Sequence, residues 1–158
     1  MRRRYVLVAL VAAVVLAAGV AVAAWYDAGR AERRAGAGAD AVAAATAATQ
    51  AIFSYDYRQF DASVANGRQF VTGDFAKEYA ETTAGLKAAA EKEKAIVRAE
   101  VSAAGVIEAA TGQVDVLLYV NQYRRNVNIT GEKVDQNRVV LTLVRADGQW
   151  KVMRAQAI

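Results

Sequence analysis

Residues 114–121 read VDVLLYVN. Val114, Val116, Leu118 and Val120 alternate with Asp115, Leu117, Tyr119 and Asn121, the period-two pattern of a strand with one buried face. Downstream, a polar hairpin loop from Asn126 to Asp135 leads to a further strand, Val139 to Arg145. Asp147-Gly148 is a hairpin signal that opens a last strand, Trp150 to Ala157. Upstream, Val97 to Ala110 leans towards β structure, weakened at Ala103-Ala104-Gly105, and Thr111-Gly112 turns the chain. Four consecutive strands with short connections predict an antiparallel meander.

Before the strands the period is helical. The Ala-rich run Ala41 to Ala51 has strong helix propensity but little to bury, and Asp40 stands where an N-cap would. Phe53, Tyr57, Phe60 and Val64 then recur at i, i+4, i+7 and i+11, an apolar stripe along one helix that Asn66-Gly67 ends. A second helix opens at Thr72-Gly73-Asp74-Phe75. Thr72 serves as its cap, and Asp74 places negative charge at the positive end of the dipole. Phe75, Tyr79, Thr82, Leu86 and Ala90 continue its stripe, and Glu91 to Lys94 form a solvated end. Helices first and strands after predict an α+β domain with the helices on one face of a four-stranded antiparallel sheet.

The N-terminus has another character. Arg2, Arg3 and Arg4 precede an apolar run from Tyr5 to Ala24, and roughly 20 apolar residues span a bilayer core as a helix. Trp25 and Tyr26 stand where aromatic side chains anchor a helix at the headgroups. A cleaved signal peptide is the competing reading, because Ala21-Val22-Ala23 is an A-x-A pattern, although the run exceeds the usual h-region. The basic tail predicts a cytoplasmic N-terminus and an extracytoplasmic domain, although Arg30, Arg33 and Arg34 lie beyond the span. The expected organisation is residues 1–26 as basic tail and transmembrane helix, 27–39 as a Gly-punctuated spacer, and 40–158 as the α+β domain.

Composition narrows the chemistry. The formal net charge is +4. Residues 1–26 hold three Arg and no acid, so taking three from four leaves +1 on everything after the span. A near-neutral domain offers no electrostatic footprint for nucleic acid. The chain has no Cys, His or Pro. That removes disulfides, thiolate chemistry and the commonest general base and transition-metal ligand. The acidic and phenolic residues Tyr55, Asp56, Tyr57, Asp61, Asp74 and Tyr79 are the candidates for an acid–base site. The simpler reading makes the carboxylates caps or solvated helix residues and the rings core. No oxygen-ligand loop of the Ca-binding type is present, and no cofactor is expected. Arg124-Arg125 reads as an exposed strand end rather than an anion site, and Trp150 as the core residue that locks the last hairpin.

Two stretches carry a resemblance. Ser54 to Thr83 reads SYDYRQFDASVANGRQFVTGDFAKEYAETT, and Leu141 to Val152 reads LTLVRADGQWKV. Behind one N-terminal span, these resemble the Mce-associated membrane proteins of actinobacteria. The matching marks are the S-Y-D-Y segment at Ser54, Tyr55, Asp56 and Tyr57, the T-G-x-F…Y helix start at Thr72, Gly73, Phe75 and Tyr79 with Asp74 inside it, and the D-G-x-W hairpin at Asp147, Gly148 and Trp150. The resemblance implies an NTF2-like domain, helices cupped by a curved antiparallel sheet. It also implies a non-enzymatic accessory role: stabilising or assembling an Mce-type lipid-import complex, with the subunits of that complex as partners. Fold alone does not decide this. A membrane-anchored assembly subunit of a secretion or conjugation apparatus, also one span plus an NTF2-like domain, is the alternative. An isomerase or hydratase is a third reading, and it requires polar groups converging inside the cone.

Overall fold

The computed structural model describes residue 25, residues 36–110 and residues 112–158. The chain forms two compact units, Met1–Ala37 and Gly38–Ile158. The expected membrane span at residues 5–24 and most of the expected spacer lie outside the described residues. Among those described, no helix is long and apolar enough to cross a membrane.

In the second unit residues 38–53 are helical, here α1. A two-residue strand β1 (Tyr55–Asp56) and a 3-10 turn (Tyr57–Gln59) follow, then α2 (Phe60–Arg68) and α3 (Gly73–Glu93). The long strands β2 (Ile96–Ala110), β3 (Gln113–Arg125), β4 (Lys133–Ala146) and β5 (Gln149–Ala157) complete the unit. The sheet order is β1-β2-β3-β4-β5, antiparallel throughout. The meander is the expected one with a fifth, short strand added at its edge.

The alternation in β3 sets the core. Val114, Val116, Leu118 and Val120, with Leu141 and Leu143 of β4 and Val152 of β5, are each at most 2% exposed. They meet Ala41, Ala45, Ala48 and Ile52 of α1 in one cluster. The alanine run therefore buries a great deal, contrary to expectation. Each methyl removes little area itself, but the small side chains let the helix come down close on the valines and leucines. Those larger residues are worth about 1.5–3 kcal/mol each when sealed from water. Asp40 does not cap this helix. Gly38 and Ala39 are already helical, and the Asp40 carboxylate lies 3.8 Å from the Arg145 guanidinium.

The predicted single stripe Phe53–Tyr57–Phe60–Val64 is broken by the S-Y-D-Y segment. Tyr55 and Asp56 leave the helix to pair with Val97 and Ile96 of β2. The Ser54 hydroxyl accepts from the Ala99 N–H at 2.9 Å. Asp56 then caps the 3-10 turn, accepting from the Arg58 N–H at 2.9 Å and from its guanidinium Nε at 3.0 Å. Short polar side chains that hydrogen-bond nearby backbone offer the chain an alternative to helix, and here the alternative wins.

Gly67 lies inside α2 rather than in a turn beyond it, as expected from Asn66-Gly67. A Cβ at this position would stand 2.1 Å from the Tyr79 hydroxyl and 3.0 Å from the Ala51 carbonyl. The residue is needed for close approach, not for conformational freedom. Gly73 is the opposite case, with φ +61 and only an ordinary contact, Met153 Cγ at 3.9 Å, for an added Cβ. It turns the chain from Thr72, whose N–H donates to the Val152 carbonyl at 2.9 Å, into α3. Thr72 occupies the N-cap position, but its side chain makes no capping bond. On α3 it is Thr83, not Thr82, that faces inward, its hydroxyl donating to the Tyr79 carbonyl at 2.8 Å. Asp147 and Gly148 both have positive φ (+53 and +76), the geometry of a two-residue primed hairpin turn. Trp150 lies half-buried at the margin of the core, with the Arg145 guanidinium 4.6 Å over its ring. It edges the core rather than filling it, because Arg145 is its cross-strand neighbour. The expected polar loop is shorter than read, since β4 already begins at Lys133.

Two stability measurements check these contacts. Gly67→Ala should destabilise the protein by about 1–3 kcal/mol through overpacking. Gly85→Ala, a helical position with nothing within 4 Å of an added Cβ, should stabilise it by about 0.5–1 kcal/mol. Equal effects in urea unfolding would refute the close-approach account. At Asp56, replacement by Ala should cost about 0.5–2 kcal/mol as a lost cap, and Asn, which keeps an acceptor, only part of that. The Arg58 hydrogen bond lowers the Asp56 pKa. The charge-dependent part is therefore fully present above the ordinary carboxylate pKa and lost as pH falls through the lowered folded value. The gap between wild type and Asp56→Asn should close in acid, and a pH-independent gap would contradict the ion pair.

Candidate functional site

The helix-covered face of the sheet is not sealed along its whole length. Beyond the reach of α1 a cavity of about 970 Å³ opens between the sheet, the end of α1 and the α2–α3 pair. The inward positions of β3 change character there, from Val114, Val116, Leu118 and Val120 to Gln122 and Arg124. On β4, Val139 gives way to Asn137 and Asp135. The helices supply the facing wall: Phe53, Phe60, Val64, Phe75, Tyr79 and Leu86. The helix wall is thus mainly hydrocarbon, with Glu78, Thr82 and Thr83 of α3 beside it, and the sheet wall carries amide and charge next to Val97, Val134 and Val139.

The polar wall is largely paired within itself. Asn137 Nδ2 donates to Gln122 Oε1 at 3.0 Å. Arg124 Nη2 donates to Asp135, and Lys133 Nζ stands 3.2 Å from the same carboxylate. These contacts, Lys133 foremost, lower the Asp135 pKa. Tyr55 and Tyr79 line the cavity, and burial raises both phenols above their ordinary pKa, Arg124 partly opposing this at Tyr55 and Arg68 at Tyr79. The Tyr55 ring meets Phe60 edge-on at 5.5 Å between centroids. Both rings are held in the neutral form, so they act as hydrogen-bonding hydrocarbon rather than as charge.

The candidate carboxylates do not converge here. Asp56 is taken up by Arg58. Asp61 accepts from Lys87 at 2.6 Å and Asp74 from Lys77 at 2.8 Å, both on exposed helix surface. Tyr57 lies on the 3-10 turn, where its N–H donates to the Ala95 carbonyl at 3.1 Å. Phe75 reaches the cavity, whereas Thr72, Gly73, Asp147, Gly148 and Trp150 shape the chain outside it. Among the described residues no group of three or more acidic side chains is placed to hold a metal ion. The polar wall was missed in the sequence. Arg124-Arg125 read as an exposed pair, but Arg125 points away to Glu132 at 2.9 Å while Arg124 faces the cavity. The available signal was the parity of β3, since Gln122 and Arg124 continue the positions of Val114 to Val120.

Comparison with known proteins places the fold. No protein-family model matches the chain. Two uncharacterized proteins of Mycobacterium tuberculosis, from strains CDC 1551 and H37Rv, are 32% identical over 120 residues, covering 75% of this chain and 54% of each relative. The chain spans about half the length of these curated relatives. Among solved structures, an IcmL-like type IV secretion system protein of Legionella pneumophila superposes with TM-score 0.62 at 18% identity, covering 74% of this chain and 88% of that one. CagV, a VirB8 homolog of the type IV secretion system of Helicobacter pylori, superposes with TM-score 0.62 at 12% identity, covering 75% and 96%. VirB8 of Agrobacterium tumefaciens superposes with TM-score 0.57 at 10% identity, covering 73% and 88%. The domain is an α+β unit of helices packed on a five-stranded antiparallel sheet, with the NTF2-like fold of VirB8-type domains.

Proposed function

We propose that this chain is a non-enzymatic, membrane-anchored subunit that works by contact within a multi-protein transport assembly of the cell envelope. The observation that carries the reading is the likeness of nearly the whole second unit to domains of type IV secretion proteins. The apolar run behind Arg2-Arg3-Arg4 supports a single span with the N-terminus in the cytoplasm and the domain outside, where it would meet other envelope proteins. The dispersal of Asp56, Asp61 and Asp74 onto separate surface ion pairs supports contact over catalysis.

For the kind of assembly, the fold favours a secretion or conjugation apparatus. A second reading, an Mce-type lipid-import complex, is supported by the S-Y-D-Y, T-G-D-F…Y and D-G-Q-W marks and by the mycobacterial relatives. The S-Y-D-Y mark has a structural role that a family would keep: it is the segment that breaks the helix and ties it to β2.

A deletion strain complemented in two ways tests the contact reading. The triple variant Asp56→Asn, Asp61→Asn, Asp74→Asn should restore assembly and transport, provided its melting curve shows a folded domain. A version beginning at Asp27 should fail, or work only when overproduced, because anchoring raises the effective concentration at the partner. Loss of transport from a folded Asp→Asn variant with assembly unchanged would overturn the reading in favour of catalysis.

A further inference from the structure

The cavity is built unlike the rest of the core. Under α1 the inward side chains of β3, β4 and β5 are sealed almost completely. Opposite the continuation of the same strands, the helix residues Phe53, Val64, Phe75 and Leu86 are left half-buried around open space. Apolar surface facing water in a concave site is unfavourable unless something covers it. Its volume lies within the ~300–1,000 Å³ range of small-ligand sites. The α3 residues that line it run from Phe75 to Leu86, roughly 16 Å of helix at 1.5 Å per residue. That favours an elongated occupant over a compact one.

The facing wall defines the head of that occupant. Asn137 and Gln122 use one amide donor and one carbonyl on each other, which leaves the Gln122 NH₂ and the Asn137 carbonyl as a donor–acceptor pair. Arg124 is the one cation in the lining and pairs with Asp135, a carboxylate it shares with Lys133 outside the lining. With Glu78 on the opposite, α3 wall, the lining holds two carboxylates against one guanidinium, which disfavours an anionic head and suits hydroxyl or amide groups.

We propose that the cavity binds an uncharged single-chain amphiphile, its hydrocarbon along the α2–α3 wall and its hydroxyl- or amide-bearing head on Gln122 and Asn137. This goes beyond the assembly role and does not depend on which apparatus the chain serves. The entrance is marked by Thr82, an exposed α3 residue in the cavity lining, where a larger side chain blocks access without touching the core.

The test uses the full chain in its native membranes with a diazirine-bearing monoacylglycerol as the probe. Photolabelling should fall on peptides containing residues 53–64 and 75–86. Thr82→Trp should lower that labelling about tenfold, as a loss of 1.4 kcal/mol in binding would, while labelling elsewhere in the chain stays constant. Ser102→Trp, at an exposed position outside the cavity lining, should leave it unchanged. A lysophosphatidic acid with the same photoreactive chain should label these peptides about tenfold less. Absence of label in the two peptides, labelling indifferent to Thr82→Trp, or equal labelling by the charged lipid would each overturn the proposal.

Discussion

The seating of the α1 alanine face on the inward valines and leucines of β3, β4 and β5 is the constraint on which the rest of the domain depends. Ala41, Ala45 and Ala48 recur at helical spacing and are buried almost completely, so the helix lies close to the sheet along its length. Interiors are packed to the density of organic crystals, and enlarging any of these methyls would push the helix off the strands it seals. The large side chains supply the apolar area, and the small ones supply the shape that lets that area be buried. Stability here is a property of the pair of surfaces, which is why composition alone understated α1.

The position of α1 also decides where the domain stays open. At Ser54 the chain leaves the helix, pairs briefly with β2 and restarts as α2 after the 3-10 turn. The α2–α3 pair then faces, across the cavity, a stretch of sheet beyond the end of α1. That stretch is the one at which β3 and β4 turn polar on their inward side. The end of α3 is tied down separately, with the Val127 N–H donating to the Glu93 carbonyl at 2.9 Å and Asn126 to the Glu93 carboxylate at 3.1 Å. The cavity is therefore framed by fixed elements at both ends rather than left by loose packing.

Much of this was legible in the sequence. The strands announced themselves through alternation, the last hairpin through Asp147-Gly148, and α3 through the spacing of Phe75, Tyr79, Leu86 and Ala90. What escaped was non-local. The stripe Phe53–Tyr57–Phe60–Val64 is a faithful helical period, yet pairing with Val97, distant in sequence, converts its middle into a strand and a 3-10 turn. Gly67 looked like a turn residue because nothing local reveals that Tyr79 lies against it. Thr82 and Thr83 are indistinguishable by type, and only the sheet decides which faces inward. The polar wall was hidden for a related reason: Gln122, Arg124, Asp135 and Asn137 read as ordinary strand-end polarity until the opposing helices show that they line a cavity.

The proposed role is that of a component that acts by where it is held and what it touches. Its most direct test is chemical cross-linking of the full chain in native membranes, followed by detergent extraction, affinity purification and mass spectrometry of the cross-linked peptides. The account predicts that subunits of an envelope transport assembly are recovered with the chain, with cross-links on the domain of residues 38–158. Recovery of the chain from membranes with no cross-linked partner, or its recovery as a free protein outside the membrane fraction, would contradict it.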